Sequence, residues 1–126
     1  MIQAYNVEAI HKLHHVKRGE IYWCECDGTA IGSEQEKTRP VLIIQNDVGN
    51  RYSPTTIVAV ISSKLKATHL PTHIVIDDYC GLDYKSQIEL EQIKTVDKRR
   101  LTRYVGKISP KTEEQVNKAL LVSVFA

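Results

Sequence analysis

No stretch of the sequence approaches the roughly 18 apolar residues that a membrane-crossing helix needs, and its first residues lack the basic-then-apolar pattern of a secretory signal. The expected compartment is therefore the cytoplasm, with no membrane partner. Cysteine is scarce too: Cys24, Cys26 and Cys80 are an odd number without framework spacing, and a reducing cytosol would leave them as thiols. Cys24 and Cys26 would share one face of a strand, yet a zinc site there would need a further ligand such as His69 or His73. Small buried or cleft-facing thiols are the simpler reading. Gly-x-Ser-x-Gly is missing, which removes the strand-to-helix serine elbow of that hydrolase class. No phosphate-cradling glycine loop of the nucleotide-binding type occurs either. With a single tryptophan and a single phenylalanine, stacking on a flat ligand falls to tyrosines such as Tyr52. A net charge of only +2 is too small to argue for a nucleic-acid partner by itself.

What is present suits one modest globular domain, with 126 residues, 42% apolar and 25% charged. Residues 1–15 read as an N-terminal extension, a short helix or disordered, and three of the five histidines sit there as surface groups. The domain proper spans 16–126. Glu20 to Glu25 alternates as a strand, Arg39 to Asn46 is apolar enough to be buried on both faces, and Thr55 to Ser63 is rich in β-branched residues. Residues 47–54 carry Gly, Asn and Pro turn chemistry. Further strands are expected at His73 to Asp77, at Ser86 to Glu91 with Ile88 and Leu90 inward and Gln87 and Glu89 outward, with Ile93 to Val96 either continuing that strand or beginning another, and at Tyr104 to Ile108. A helical turn falls at Asp97 to Leu101. A terminal helix opens with Ser109 as N-cap and Pro110 at its first position, and Val116, Ala119, Leu120 and Val124 form its apolar stripe. Many short strands and one terminal helix predict a mainly β (α+β) fold, a small, strongly bent antiparallel barrel. Lys94, Lys98, Arg99, Arg100, Arg103 and Lys107 crowd one late segment, which reads either as a solvated face or as a seat for an acidic partner, RNA or peptide.

The most pointed chemistry lies in the polar loop Gly32 to Thr38 and the Arg39-Pro40 step that opens the second strand. The residue before a proline is driven to extended backbone, so Arg39 projects from a rigid mount. A planar guanidinium matches two phosphate oxygens and does not titrate away. Arg39 is thus a candidate phosphate grip, with an ion pair to Glu34 or Glu36 as the purely structural alternative. If the target is RNA, the 2′-hydroxyl supplies the nucleophile and the protein needs no metal: it orients, moves protons and stabilises charge on phosphorus. Ser62, at the end of the neighbouring strand, could complete the grip, and Glu34 could act as base or orienting partner. His69 and His73 as an acid–base pair would have no tie to Arg39.

Val16 to Trp23, Gly32 to Gln35 with Arg39 to Asp47, Gly49 to Thr55, Leu70 to His73, Leu90 to Ile93 and Val96 to Leu101 together resemble the MazF/PemK family of toxin endoribonucleases, over roughly residues 16–126. The resemblance implies an SH3-like antiparallel β-barrel with a C-terminal helix, a homodimer, and a cognate antitoxin that lays an acidic disordered tail over the cleft. It also implies cofactor-free and metal-independent cutting of single-stranded RNA, leaving a 2′,3′-cyclic phosphate and a 5′-hydroxyl. By motif, the catalytic arginine is Arg39. The catalytic hydroxyl, usually threonine, falls on Ser62, a departure that keeps the oxygen but loses the methyl stiffening χ1. Ser33, Glu34 and Gln35 match the substrate-contacting loop, and Ser86 and Gln92 match positions lining the RNA groove. Rivals are a non-enzymatic CcdB-like gyrase poison of the same barrel and an inactive barrel that only binds.

Overall fold

A computed structural model describes residues 15–25, 38–76 and 78–125. Six strands form one antiparallel sheet: β1 Glu20–Glu25, β2 Thr38–Ile43, β3 Thr55–Ser62, β4 His73–Val75, β5 Gln87–Asp97 and β6 Leu101–Lys107, in the order β4-β5-β3-β2-β1-β6. Helix α1 (Asp47–Tyr52) connects β2 to β3, and helix α2 (Pro110–Leu120) follows β6. Only β1 matches its expected limits at both ends; the other strands shift by a few residues, and residues 93–96 continue β5 and do not begin a separate strand.

The ladder does not close into a full barrel: β4 and β6 stay unpaired with each other among the described residues. The seam is filled by the turn Tyr79 to Leu82, where Leu82 N–H donates to Tyr79 O at 2.7 Å and both central residues have positive φ, Cys80 at 52° and Gly81 at 93°. This turn lies backbone to backbone on β6. A Cβ on Gly106 would fall 2.1 Å from Cys80 O, and one on Gly81 2.2 Å from Val105 O.

Alternation sorts the apolar side chains onto two faces. Ile21, Leu42, Ala59, Ile61, Ile88 and Leu90 meet Val116 and Ala119 of α2 on one; Tyr22, Cys24, Val41, Ile43, Val58, Val96 and Leu101 cluster on the other. Ser109 caps α2 as expected, accepting from Thr112 N–H. Val124 does not extend the stripe: the helix widens into a π turn over Leu121–Phe125, and Val124 is 65% exposed.

Residues 47–52 form a helix and not the expected turn. Asn46 Oδ1 accepts from Gly49 N–H at 2.8 Å and Asp47 supplies an acid in the first turn, while Pro54 follows the last one. Asn50 anchors this helix to the sheet and uses its whole side-chain capacity. Its amide donates to Gln45 O (2.9 Å) and Asp47 Oδ1 (3.2 Å), and its Oδ1 accepts from Gln45 Nε2 (3.1 Å) and Thr56 Oγ1 (2.7 Å). Asn50 O accepts from Lys98 Nζ. Asn50→Ala is expected to cost about 2–3 kcal/mol, measured as a fall in urea midpoint, because the buried Thr56 hydroxyl loses its acceptor and the Gln45 carbonyl loses a donor.

The late basic run is not one face. Lys98 is buried, and burial holds its ammonium below the usual lysine range. Arg99 grips Asp97 at 2.8 Å and depresses that carboxyl to about 2, and Arg103 lies 5.8 Å above the Trp23 ring.

Candidate active site

Register brings the two central candidates together. Cys24 pairs with Arg39, and Val41 pairs with Val60; continuing that β2–β3 register by two residues sets Arg39 opposite Ser62. Ser62 in turn pairs with Gln87, and Gln87 with Val75. The row Cys24, Arg39, Ser62, Gln87, Val75 therefore crosses five strands with its side chains on the face away from α2. Cross-strand neighbours of this kind hold their Cβ atoms about 4.5–5.5 Å apart. One phosphodiester can be spanned by a guanidinium and a hydroxyl so placed.

A pocket of about 300 Å³ opens where β2 begins and β3 ends. Arg39, Ser62 and Ser86 all line it, with Trp23 and Tyr84 as its aromatic walls. Ser86 is buried and donates to Tyr84 O at 2.8 Å, which fixes the approach to the pocket rim. Ser62 Oγ accepts from Lys64 N–H at 3.1 Å and reaches Lys64 O at 3.4 Å, so the loop after β3 orients the hydroxyl. Arg39 is half-buried and already engaged within the fold.

Other candidates stand apart or beyond the described residues. Gln92 lies exposed on a bulge of β5, where pairing to β3 jumps from Ala59–Ile93 to Val60–Glu89, and it does not line the pocket. Ser33, Glu34, Gln35 and Cys26 lie outside the described residues. Tyr52, the aromatic favoured from sequence, is 76% exposed on α1 and lines a different recess with Val48 and Arg51.

Gln87 was missed. Alternation assigned it outward with Glu89, yet it is fully buried, because β5 is covered on both faces here. Its Nε2 donates to Glu89 Oε2 at 2.9 Å, while its Oε1 is buried without a hydrogen-bond partner. The signal available beforehand was its pairing with Ser62, which needs the β3–β5 register and not the local pattern. His73 was set aside for lack of a tie to Arg39. It is, however, tied to the loop that holds Ser62: its Nδ1 lies 2.9 Å from Lys66 O and 3.1 Å from Ala67 O. The Cys80 thiol is pushed up to about 12 by burial and by Asp78, whose Oδ1 accepts from it, which disfavours its thiolate.

Residues 17–124 match the family described as the PemK-like, MazF-like toxin of type II toxin–antitoxin systems. The chain belongs to this family. Among its relatives, Endoribonuclease EndoA of Bacillus subtilis (strain 168) is 46% identical over 110 residues, covering 86% of this chain and 94% of that one. Endoribonuclease MazF of Staphylococcus saprophyticus is 44% identical over 110 residues, covering 86% and 91%. Among solved structures, a mycobacterial endoribonuclease in complex with its cognate antitoxin superposes with a TM-score of 0.72 at 23% identity, over 86% of this chain and 94% of that chain. MazE–MazF from Deinococcus radiodurans gives 0.69 at 14% identity, over 87% and 95%. Likeness at those identities speaks for the fold: a six-stranded antiparallel sheet with one terminal helix, as in the family.

Proposed function

We propose that this family member is a sequence-specific endoribonuclease, the toxin of a toxin–antitoxin pair, and that Arg39 and Ser62 carry the cleavage. The observation that supports it is that a guanidinium from the start of β2 and a hydroxyl from the end of β3 line one pocket, in a chain 46% identical to a named endoribonuclease. The substrate is single-stranded RNA. Its 2′-oxygen bonds to the adjacent phosphorus as the bond to the 5′-oxygen breaks, and a proton leaves the 2′-hydroxyl while one reaches the departing 5′-oxygen. The products carry a 2′,3′-cyclic phosphate and a 5′-hydroxyl. Arg39, protonated at any physiological pH, pairs with the non-bridging oxygens as negative charge builds there. Ser62 donates to the same phosphate, and Glu34 or water handles the proton. Ser33, Gln35 and Ser86 contact the bases and backbone of the RNA, and Gln92, which stands outside the pocket, meets the RNA farther along its length. No metal or cofactor enters this scheme.

The toxin works in the cytoplasm as a homodimer whose second copy closes the RNA groove, and a cognate antitoxin covers that groove when the toxin is silent. Among the described residues no helix is long and apolar enough to cross a membrane. The reading is tested by incubating the protein with a long single-stranded RNA in chelator and mapping the ends. Cuts at a short recurring sequence, with cyclic phosphates, are expected; absence of any cut would leave only the binding readings. Ser62→Ala should lose about 2 kcal/mol of transition-state stabilisation, the scale of a lost hydrogen bond to a charged group. Ser62→Thr should cut at least as fast as the parent protein, since the added methyl narrows χ1. A slower threonine enzyme would contradict that account.

A further inference from the structure

Behind Ser62 lies a polar cluster that the cleavage scheme does not use. The His73 imidazole, only 7% exposed, has an acceptor within 3 Å of each ring nitrogen, while one donor, Gln87 Nε2, stands farther from Nδ1 at 3.4 Å. Its Nδ1 faces the carbonyls of Lys66 (2.9 Å) and Ala67 (3.1 Å), and its Nε2 faces Glu91 Oε2 at 2.8 Å. A neutral imidazole donates from one nitrogen only and would turn a lone pair toward an oxygen at the other. The imidazolium satisfies both sides at once. The carbonyls belong to the loop between β3 and β4, which is exposed from Ser63 to Pro71. That same loop delivers the Lys64 N–H to Ser62 Oγ at 3.1 Å.

We propose that His73 is a positioning residue: as an imidazolium it clamps the Lys66 and Ala67 carbonyls to Glu91 of β5, and through that loop it holds the Lys64 N–H on the Ser62 hydroxyl. The proposal rests on Ser62 being the hydroxyl that meets the phosphate. With the Lys64 N–H donating into its lone pair, the Ser62 proton is free to swing from the long 3.4 Å contact with Lys64 O toward a phosphate oxygen. Without the clamp, an otherwise exposed loop no longer fixes that direction.

The charges that act on the ring are the carboxylates of Glu91 and Glu89, both on β5, with the neutral Gln87 amide 3.4 Å from Nδ1. Burial pulls the imidazolium down. The bonds to Glu91 and Lys66 and the two carboxylates outweigh it and hold the group above the ordinary histidine value of 6.5. Glu91 is correspondingly lowered: burial works against it, and its bond to His73, with Thr72 helping, prevails. For a group raised in this way the clamp is complete below the ordinary histidine value, and it is lost as pH rises through the raised value of the folded protein.

Two measurements on the intact protein decide it. Ring-nitrogen NMR should show both nitrogens of His73 carrying a proton on the acid side of its titration, and that titration should lie above the ordinary histidine value of 6.5. Titration at or below that value would overturn the clamp. His73→Gln should speed hydrogen exchange of the Lys64 amide, lower kcat for a single-stranded RNA by about tenfold with KM little changed, and flatten the alkaline limb of the pH–rate profile. Glu91→Gln should move that limb to lower pH. Unchanged Lys64 exchange and an unchanged limb in His73→Gln would equally overturn it. If the parent protein cut no RNA at all, the cleavage reading would fall, while the titration and the Lys64 exchange would still decide the clamp.

Discussion

Arg39→Ala is expected to slow RNA cleavage by about a hundred- to a thousandfold, with substrate affinity reduced far less. The size follows from where the charge is needed. The negative charge on the phosphorane oxygens grows only as the 2′-oxygen closes on phosphorus, so a fixed cation stabilises the transition state more than the bound RNA. Arg39 is well mounted for this: it is paired to Cys24 on one side, held extended by Pro40, and shares a pocket lining with Ser62. Arg39→Lys should recover part of the loss, because an ammonium keeps the charge and gives up the two-pronged fit to phosphate oxygens. Single-turnover rates on a defined single-stranded RNA in chelator, with circular dichroism to show that the sheet persists, would measure both. Cutting by Arg39→Ala at the parent rate would sink the assignment of this pocket.

Much of this site was legible before the fold was known. The Arg-Pro step announces a strand start, the β-branched run announces β3, and the strand ends at Ser62. What was hidden depended on neighbours far away in sequence. Gln87 looks solvent-facing by alternation, and only the joint cover of β3, β4 and the loop after β3 buries it. The β5 bulge is equally silent: three extra residues between Glu89 and Ile93 send Leu90 N–H to Thr72 O at 2.9 Å, a choice made by β4 and not by local propensity. The short helix after Asn46 shows the opposite case, since its cap and first-turn acid are present in the sequence but sit among residues that also make turns. The late basic run misleads because charge counts ignore direction; Lys98 turns inward to Asn50 O while Arg100 remains exposed.

The near-closed barrel depends on a contact that only glycine permits, and Gly106→Ala is expected to lower stability by about 3 kcal/mol. Its Cβ would meet Cys80 O at 2.1 Å, and the obstacle is backbone within a tight turn, not the end of a flexible side chain. Either β6 or the Tyr79–Leu82 turn has to move. Gly19 and Gly81 separate the two possible causes of such a loss. Gly19 has φ of 93° but meets nothing nearer than Ile108 at 3.8 Å, so Gly19→Ala carries backbone strain alone, roughly 1–2 kcal/mol. Gly81 combines the same φ of 93° with a contact of 2.2 Å to Val105 O and should cost the most of the three. Urea unfolding of the three alanine variants would rank them Gly81, Gly106, Gly19 from most to least damaging. A Gly106→Ala protein as stable as Gly19→Ala would show that the turn yields easily and that it does not seal the seam. The consequence reaches the active site through the chain that follows the turn: Leu82, Asp83, Tyr84 and Ser86 all line the pocket beside Arg39 and Ser62. Lifting the turn off β6 therefore opens one pocket wall, and Gly106→Ala should lose cleavage activity at temperatures where most of the protein is still folded.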